Sequence, residues 1–318
     1  MGRIHYLLLS REGGVSGGQK MAVRHVEALR DLGFDAVCYL GVGSAMPTWF
    51  EHQAPVEPAK VLGRDDVIVI PDDAPEAIEM ALKLGGRAVI FAQSREGFAA
   101  LGFRPLSRFP ADRFPPILAV GPAHAATIRR AFPEARVELV PCFADERRFA
   151  PSRTKKRVIS LAPRKRRLEA SAIRALLGRL HPRHAETTWY EMVNRSEADV
   201  ARALGGSALH LSLNRLESVG LTTLEAMASG CVCVGFLGIG GRQYATADNG
   251  LWVAEDDCEA AADALAEALD LVDRGGPKLE RMIEAARETA RAWSHAAFLP
   301  RLEAAWMRLA PDARTLTP

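Results

Sequence analysis

An α/β fold of two doubly wound parallel-sheet domains is predicted by three features of this sequence. Its 318 residues suit two domains at ~150 residues each. Short apolar runs alternate with helical periodicity in two successive series. Between the series lies PCFADERRFAPSRTKK (141–156), with its prolines and dense charge, which reads as a linker. Domains are therefore expected over 1–150 and 151–290, and a terminal helical stretch, 291–318, is expected to pack back towards the N-terminal domain.

The first series opens with IHYLLLS (4–10), whose apolar run is shorter than a signal-peptide core and reads as a strand. The glycine-rich EGGVSGGQ follows, then KMAVRHVEALRDLG with apolar residues at helical spacing. AVCYLG (36–41), DVIVIP (66–71), AVIFAQ (88–93), ILAVG (117–121) and VELVP (137–141) read as buried strands. PEAIEMALKLG and AHAATIRRAF are helices between them. Apolar strands joined through helices imply a parallel sheet covered on both faces. The second series starts at RVISLAP (157–163) and runs through ASAIRALLGRL, ETTWYEMV, SEADVARALGG, ALHLSL, LTTLEAMASG, CVCVGF and GLWVAEDD. Three helical segments close it: CEAAADALAEALDLVDRG, KLERMIEAARETARAW and HAAFLPRLEAAWMRLA. In such sheets ligands lie beyond the carboxyl ends of the strands, so the strand-to-helix loops are where chemistry is expected.

Composition narrows the function. Hydrophobic residues make up 48% and charged residues 25%, a globular mixture that excludes a largely disordered chain. Lys and Arg number 41 against 39 Asp and Glu, a net charge of +2, so there is no global bias towards nucleic acid. No run approaches the ~18 apolar residues that cross a bilayer. Five cysteines, an odd number, argue against a disulfide framework and for a reducing cytoplasm. Cys231 and Cys233 stand in an apolar strand without a second zinc-spaced pair, and are expected in the core.

Chemistry concentrates after the strand ALHLSLNRL. Glu217 and Glu225 flank a glycine, Gly220, which permits close backbone approach to a ligand. Thr222 and Thr223 fall in the first turn of the following helix, whose unpaired N–H groups suit a phosphate. Upstream, PRKRR places Arg164, Lys165, Arg166 and Arg167 at the carboxyl end of the first strand of the second series. No aromatic stacking platform accompanies these charges, so nucleic-acid binding is not expected. No D-x-D occurs, so the carboxylate pattern that commonly holds a divalent ion on a diphosphate is missing. Neither a metal nor another cofactor is expected.

The second series resembles the donor site of retaining glycosyltransferases of the GT-B type, family four in particular. E-x7-E, LEAMASG, a V-C-V strand, a Gly-Gly turn and an N-G-L strand start follow in order through Glu217, Gly220, Leu221, Glu225, Gly230, Gly240, Gly241, Asn249 and Gly250. Gly17-Gly18 before an amphipathic helix is similar to that family's N-terminal glycine loop. VPCFADERRFAP resembles its interdomain crossover at Asp145 and Phe149. The resemblance implies two Rossmann-like domains facing across a cleft, the first binding acceptor and the second binding donor. It implies transfer of a sugar from a nucleotide-diphosphate-sugar to a hydroxyl of a glycan or lipid-linked saccharide, in polysaccharide or glycolipid biosynthesis. By resemblance Glu225 binds the ribose and Glu217 lies at the transferred sugar, while the amides of Leu221 to Thr223 hold sugar or diphosphate. Arg164 and Lys165 would neutralise the diphosphate. The family's basic pair is more widely spaced, so Arg166 or Arg167 also stands for the second role.

The N-terminal series departs from the family. Where many relatives carry a histidine, this chain has Gln93-Ser94. Glutamine is no general base but hydrogen-bonds hydroxyls, which suits a front-face transfer in which the departing phosphate takes the acceptor proton. His124 reads as a surface helix histidine. Ser218-Val219 replaces the usual Gly-Phe, and with Gln93 it keeps open an alternative, a catalytically inactive GT-B-like nucleotide-binding or partner protein. Phe98, Phe103, Phe109 and Phe114 alternate with Arg95, Arg104, Arg108 and Arg113. Segment 95–116 is thus the candidate for peripheral contact with the inner face of a membrane, the alternative being phenylalanines in the core and arginines in water.

Overall fold

The computed structural model describes residues 2–10, 13–58 and 60–315. Its strands and helices form two compact units, Met1–Cys142 with Phe298–Pro318, and Phe143–Ala297. The first unit contains β1 (Ile4–Leu8), α1 (Gly17–Asp31), β2 (Ala36–Leu40), β3 (Val56–Pro58), β4 (Val67–Pro71), α2 (Pro75–Leu84) and β5 (Arg87–Ala92). It continues with α3 (Arg95–Gly97), a π-helical turn (Phe98–Gly102), α4 (Phe103–Leu106), β6 (Ile117–Ala119), α5 (Pro122–Ala131) and β7 (Val137–Leu139). The second holds β8 (Lys156–Leu161), α6 (Arg167–Leu180), β9 (Thr188–Glu191), α7 (Glu197–Gly206), β10 (Ser207–Leu213) and α8 (Leu221–Ala228). After these come β11 (Val232–Phe236), α9 (Gly238–Gly241), β12 (Leu251–Trp252), α10 (Cys258–Arg274) and α11 (Pro277–Ala292), and α12 (His295–Leu309) runs on into the first unit.

Both sheets are parallel throughout. The order is β3-β2-β1-β4-β5-β6-β7 in the first and β12-β11-β10-β8-β9 in the second. Every parallel pair needs a crossover, and between consecutive paired strands helices supply it except from β2 to β3, where 41–55 is irregular. The helices cover both faces, so β10 is buried along its whole length, Ser207, His210 and Ser212 included. Ile70, Ile90, Ala119 and Ile128 centre one core; Ile159, Leu209, Val234 and Leu265 centre the other. The short edge strand β3 is not foreshadowed by the sequence: three half-exposed residues ending in Pro58 give no periodic signal.

The linker residues from Phe143 onward belong to the second unit. The Ala144 amide donates to the Trp293 carbonyl at 2.9 Å. The Glu146 carboxylate accepts from the His295 and Ala296 amides at 2.7 and 3.0 Å, capping α12. The rest of α12 completes the first unit. Phe298 lies 5.0 Å from the His25 ring, Trp306 lies 6.2 Å from Tyr6, and Arg308 pairs with Glu138 at 2.6 Å.

One sequence expectation changes on folding, and one open choice is decided. His124 is buried, not at the surface, with its ring 5.9 Å from Phe98, and burial lowers its pKa to about 4. In 95–116 the core alternative holds: Phe98 is buried in the first core, the partly buried Phe103, Phe109 and Phe114 pack against it, and Phe103 meets Phe132 edge to face at 4.9 Å. All five cysteines are free, and Cys231 and Cys233 are buried. No described helix is long and apolar enough to cross a membrane.

Trp306 is fully buried, so Trp306→Ala is expected to cost about 3–5 kcal/mol. Leu168→Ala, at a side chain 81% exposed, should fall within about 0.5 kcal/mol of wild type. Denaturant titration of the two variants checks both figures.

Candidate functional site

Within the second unit the strand order reverses between β8 and β10. Adjacent loops leave the sheet there in opposite directions and open a crevice at the carboxyl edge. One loop carries 162–166, the other 214–220. Across the crevice Lys165 Nζ stands 2.9 Å from Glu217 Oε1, with side chains 47% and 31% exposed. The second oxygen of Glu217 accepts from the Arg215 amide at 2.5 Å. Partial burial would raise the Glu217 pKa, but the Arg215 amide and the Lys165 ammonium outweigh it and hold the carboxyl below its ordinary range. Two residues chosen from separate motifs are thereby brought into one ion pair.

The loop beyond Glu217 turns at Gly220, whose φ of +79° lies in the left-handed region. A β-carbon there would stand 2.5 Å from Asn214 Nδ2. Asn214 Nδ2 donates to Thr223 Oγ1 at 3.0 Å, and Ser212 Oγ lies 2.9 Å from the same hydroxyl. The Thr223 amide donates to the Gly220 carbonyl at 3.2 Å. Thr223 thus commits both amide and hydroxyl inside the unit, and the ligand contacts expected of Leu221 to Thr223 narrow to Leu221 and Thr222, which are partly exposed. Gly220 caps α8 without a side chain. Glu225 follows one turn after Leu221 and is buried.

A second layer supports this loop. At Gly240 a β-carbon would meet Glu217 O and Val219 N, each at 2.5 Å, so only glycine lets α9 lie against the Glu217 backbone. The Ile239 amide donates to Arg215 O at 3.0 Å, Gln243 Nε2 to Ser218 O at 2.7 Å and Tyr244 Oη to Gly220 O at 3.2 Å. Asn249 then donates from Nδ2 to Tyr244 O at 2.8 Å. The Gly-Gly and Asn-Gly signals of the sequence mark this layer. Gln243 and Tyr244 carried no sequence signal, being single polar residues in an irregular stretch.

The basic run divides. Arg164, Lys165 and Arg167 are exposed at the mouth of the crevice, whereas Arg166 turns inward and is buried. Arg166 is therefore no donor contact, which corrects its place among the candidates for the second cationic role. Among the described residues, His184, Asp270 and Asp273 lie close enough to share a cation. Arg157 pairs with Asp273 at 2.9 Å, and Arg183 with Asp270, so arginines already neutralise those carboxylates.

The first unit has its own reversal, between β1 and β4. Asp72, immediately after β4, accepts from the Gln93 and Ser94 amides, each at 2.9 Å. Gln93 Nε2 donates to Gly18 O at 2.8 Å, and a β-carbon at Gly18 would stand 2.9 Å from Gln93 Oε1. Gly17 and Gly18 begin α1, so the glycine loop and Gln93 meet as a pair. Asp72 was missed at the sequence level, where it is one half of an ordinary acidic dipeptide. Burial, opposed by the Ser94 and Gln93 amides and aided by Asp73, pushes its carboxyl up to about 7.

Comparison with known proteins agrees with this geometry. Residues 186–289 match the family model described as "Glycosyl transferases group 1". An alpha-1,6-glucosyltransferase of Actinobacillus pleuropneumoniae serotype 7 (strain AP76) is 23% identical over 286 residues, spanning 85% of this chain and 86% of that protein. Anabaena HepE, solved in complex with UDP, superposes with a TM-score of 0.72 at 14% identity, over 96% of this chain and all of that one. Sucrose-phosphate synthase from Thermosynechococcus elongatus gives 0.70 at 12% identity, over 98% and 100%. The two parallel-sheet units in succession share the GT-B fold of these neighbours. The segment that matches the group 1 model, residues 186–289, contains Glu217, Gly220 and Glu225.

Lys165→Met removes the ammonium beside Glu217, so the Glu217 carboxyl should titrate at higher pH than in wild type, as read by carboxyl-carbon NMR. Asp72 supplies a second pH test. With its folded pKa above the ordinary 3.8, its contribution is fully present below about pH 4 and is lost as pH rises through 7. Asp72→Asn should match wild type at low pH and exceed it by a few kcal/mol at about pH 8, in denaturant titrations across that window.

Proposed function

We propose that this protein moves a sugar from a nucleotide-diphosphate-sugar to a hydroxyl of a glycan or lipid-linked saccharide, with retention at the anomeric carbon and without a metal ion. The observation that carries the reading is the 2.9 Å pair of Lys165 and Glu217 at the strand-order reversal of the second unit. A carboxylate fixed beside an ammonium suits a sugar whose leaving group is a diphosphate. Glu217 orients the sugar hydroxyls, and Lys165 with Arg164 and Arg167 meets the charge that develops on the phosphate. The Leu221 and Thr222 amides, open at the start of α8, receive phosphate or sugar oxygens. Glu225 accepts from the ribose hydroxyls. The bond from the anomeric carbon to the phosphate oxygen breaks as the acceptor oxygen bonds that carbon on the same face. The acceptor proton passes to the departing phosphate oxygen, which leaves no base for the protein to supply.

Acceptor recognition falls to the first unit, through Gly17, Gly18 and Gln93. Gln93 holds the glycine turn in place and is suited to hydrogen bonding, not to proton abstraction. Contact of 95–116 with an anionic membrane surface, if the acceptor is lipid-linked, would rest on the exposed Leu101, Arg104, Arg108 and Arg113, since the phenylalanines pack in or against the core. UDP-glucose is the donor to try first. HepE is described with UDP and with UDP-glucose, and the Actinobacillus relative is a glucosyltransferase.

Calorimetry with UDP and UDP-glucose, in magnesium and in EDTA, tests the reading. Equal affinity in both buffers is expected, and Glu225→Ala should weaken UDP binding about tenfold or more, ~1.4 kcal/mol. Unchanged UDP affinity in Glu225→Ala would sink the ribose assignment. Binding seen only with magnesium would sink metal independence. Intact donor after long incubation with acceptors would leave a nucleotide-binding protein without transferase activity.

A further inference from the structure

Arg166 is 2% exposed and its contacts reach the other strand-to-helix loops of the crevice. Nε donates to the Asn214 carbonyl at 3.1 Å, in the loop after β10. One terminal nitrogen donates to Glu255 at 2.7 Å; the other meets Asp256 and, at 3.4 Å, Glu169. Both Glu255 and Asp256 follow β12. The remaining oxygen of Glu255 accepts from the Gly238 amide at 2.7 Å, in the turn after β11. The face of the guanidinium lies 4.7 Å from the Phe236 ring. Asp256 is held at φ +67°, unusual for a residue other than glycine.

Taking a guanidinium out of water is costly, and only a full set of well-placed acceptors offsets it. Here the acceptors come from the loop after β10, the loop after β12 and the first turn of α6, and one guanidinium joins all three. We propose that Arg166 is the positioning residue of the donor site. It fixes the Asn214–Gly220 loop so that Glu217 stands on Lys165, and it fixes the Gly238–Gly241 turn that backs that loop. Arg166 acts through Asn214 and Glu255 and touches no substrate. Its planar fork is what the arrangement requires, because a lysine ammonium cannot reach carbonyl and carboxylates on separate loops at once. What is positioned depends on the glycosyltransferase reading; the clamp itself does not.

The test is amide hydrogen exchange on Arg166→Met and Arg166→Lys, well below the unfolding temperature, together with UDP-glucose kinetics. Exchange is expected to speed up by about tenfold or more in 214–220 and 238–241, with β8, β10 and β11 unchanged. The KM for UDP-glucose should rise about tenfold with a smaller fall in kcat in Arg166→Met, and lysine should restore little. Arg166→Lys combined with Glu217→Gln should be no slower than Glu217→Gln alone, since both act through one carboxylate. Uniform acceleration of exchange across the unit, or unchanged exchange in the two loops, would overturn the proposal and leave Arg166 a stabilising residue. Should Arg166→Met fail to fold, Glu255→Gln keeps an acceptor for Gly238 but loses the charge, and carries the same exchange test. A wild type that neither binds nor consumes UDP-glucose would count against that donor, while exchange alone still decides the clamp.

Discussion

A parallel strand hands its chain to a helix at the same edge of the sheet as its neighbours do. Each unit here is parallel throughout, so all of its strand-to-helix loops gather along one edge. Where the order reverses, between β8 and β10 in one unit and β1 and β4 in the other, neighbouring loops part instead of crowding. Lys165 and Glu217 stand at the first reversal, and Asp72 follows β4 at the second. The backbone hydrogen bonding of the sheet thus places the candidate chemistry before any side chain is considered.

Charge is then sorted by depth. The run PRKRR offers near-identical cations in succession, yet the fold treats them differently. Arg166 goes inward, where Glu169, Glu255 and Asp256 together with a backbone carbonyl meet it. Arg164, Lys165 and Arg167 stay at the surface, where water screens them and an anionic ligand can reach them. Inside, one guanidinium faces more carboxylates than it can neutralise, which suits structural cohesion and not anion binding. Outside, cations predominate around Glu217. Only the outer set is open to an anionic ligand.

Backbone contact supplies the remaining precision. Gly240 lies against the backbone of the Glu217 loop because it has no β-carbon. Such contacts fix a loop more tightly than side-chain packing would, since amides and carbonyls have few alternative positions. In the first unit the chain from Asp72 through Gln93 to Gly18 joins the end of β4, the end of β5 and the start of α1.

Much of this was legible in the sequence. Apolar runs with helices between them announce parallel strands, because a strand buried on both faces admits few polar residues; hence β1, β5, β10 and β11 were plain. Glu217, Gly220 and Glu225 stood out by their spacing after a strand, and the Gly-Gly and Asn-Gly pairs by the family resemblance. The edge strand β3 was not legible, and for the phenylalanines of 95–116 the sequence left core and membrane contact as alternatives, since a π-helical turn there breaks any simple period. The sequence by itself determined the architecture and the candidate motifs, since periodicity and glycine placement are local properties of the chain. Only the tertiary structure decided that Arg166 and not Arg167 is buried, that Thr223 is committed internally, and that Asp72 holds Gln93. Those outcomes depend on which distant acceptors reach a given point, and one-dimensional spacing does not record that.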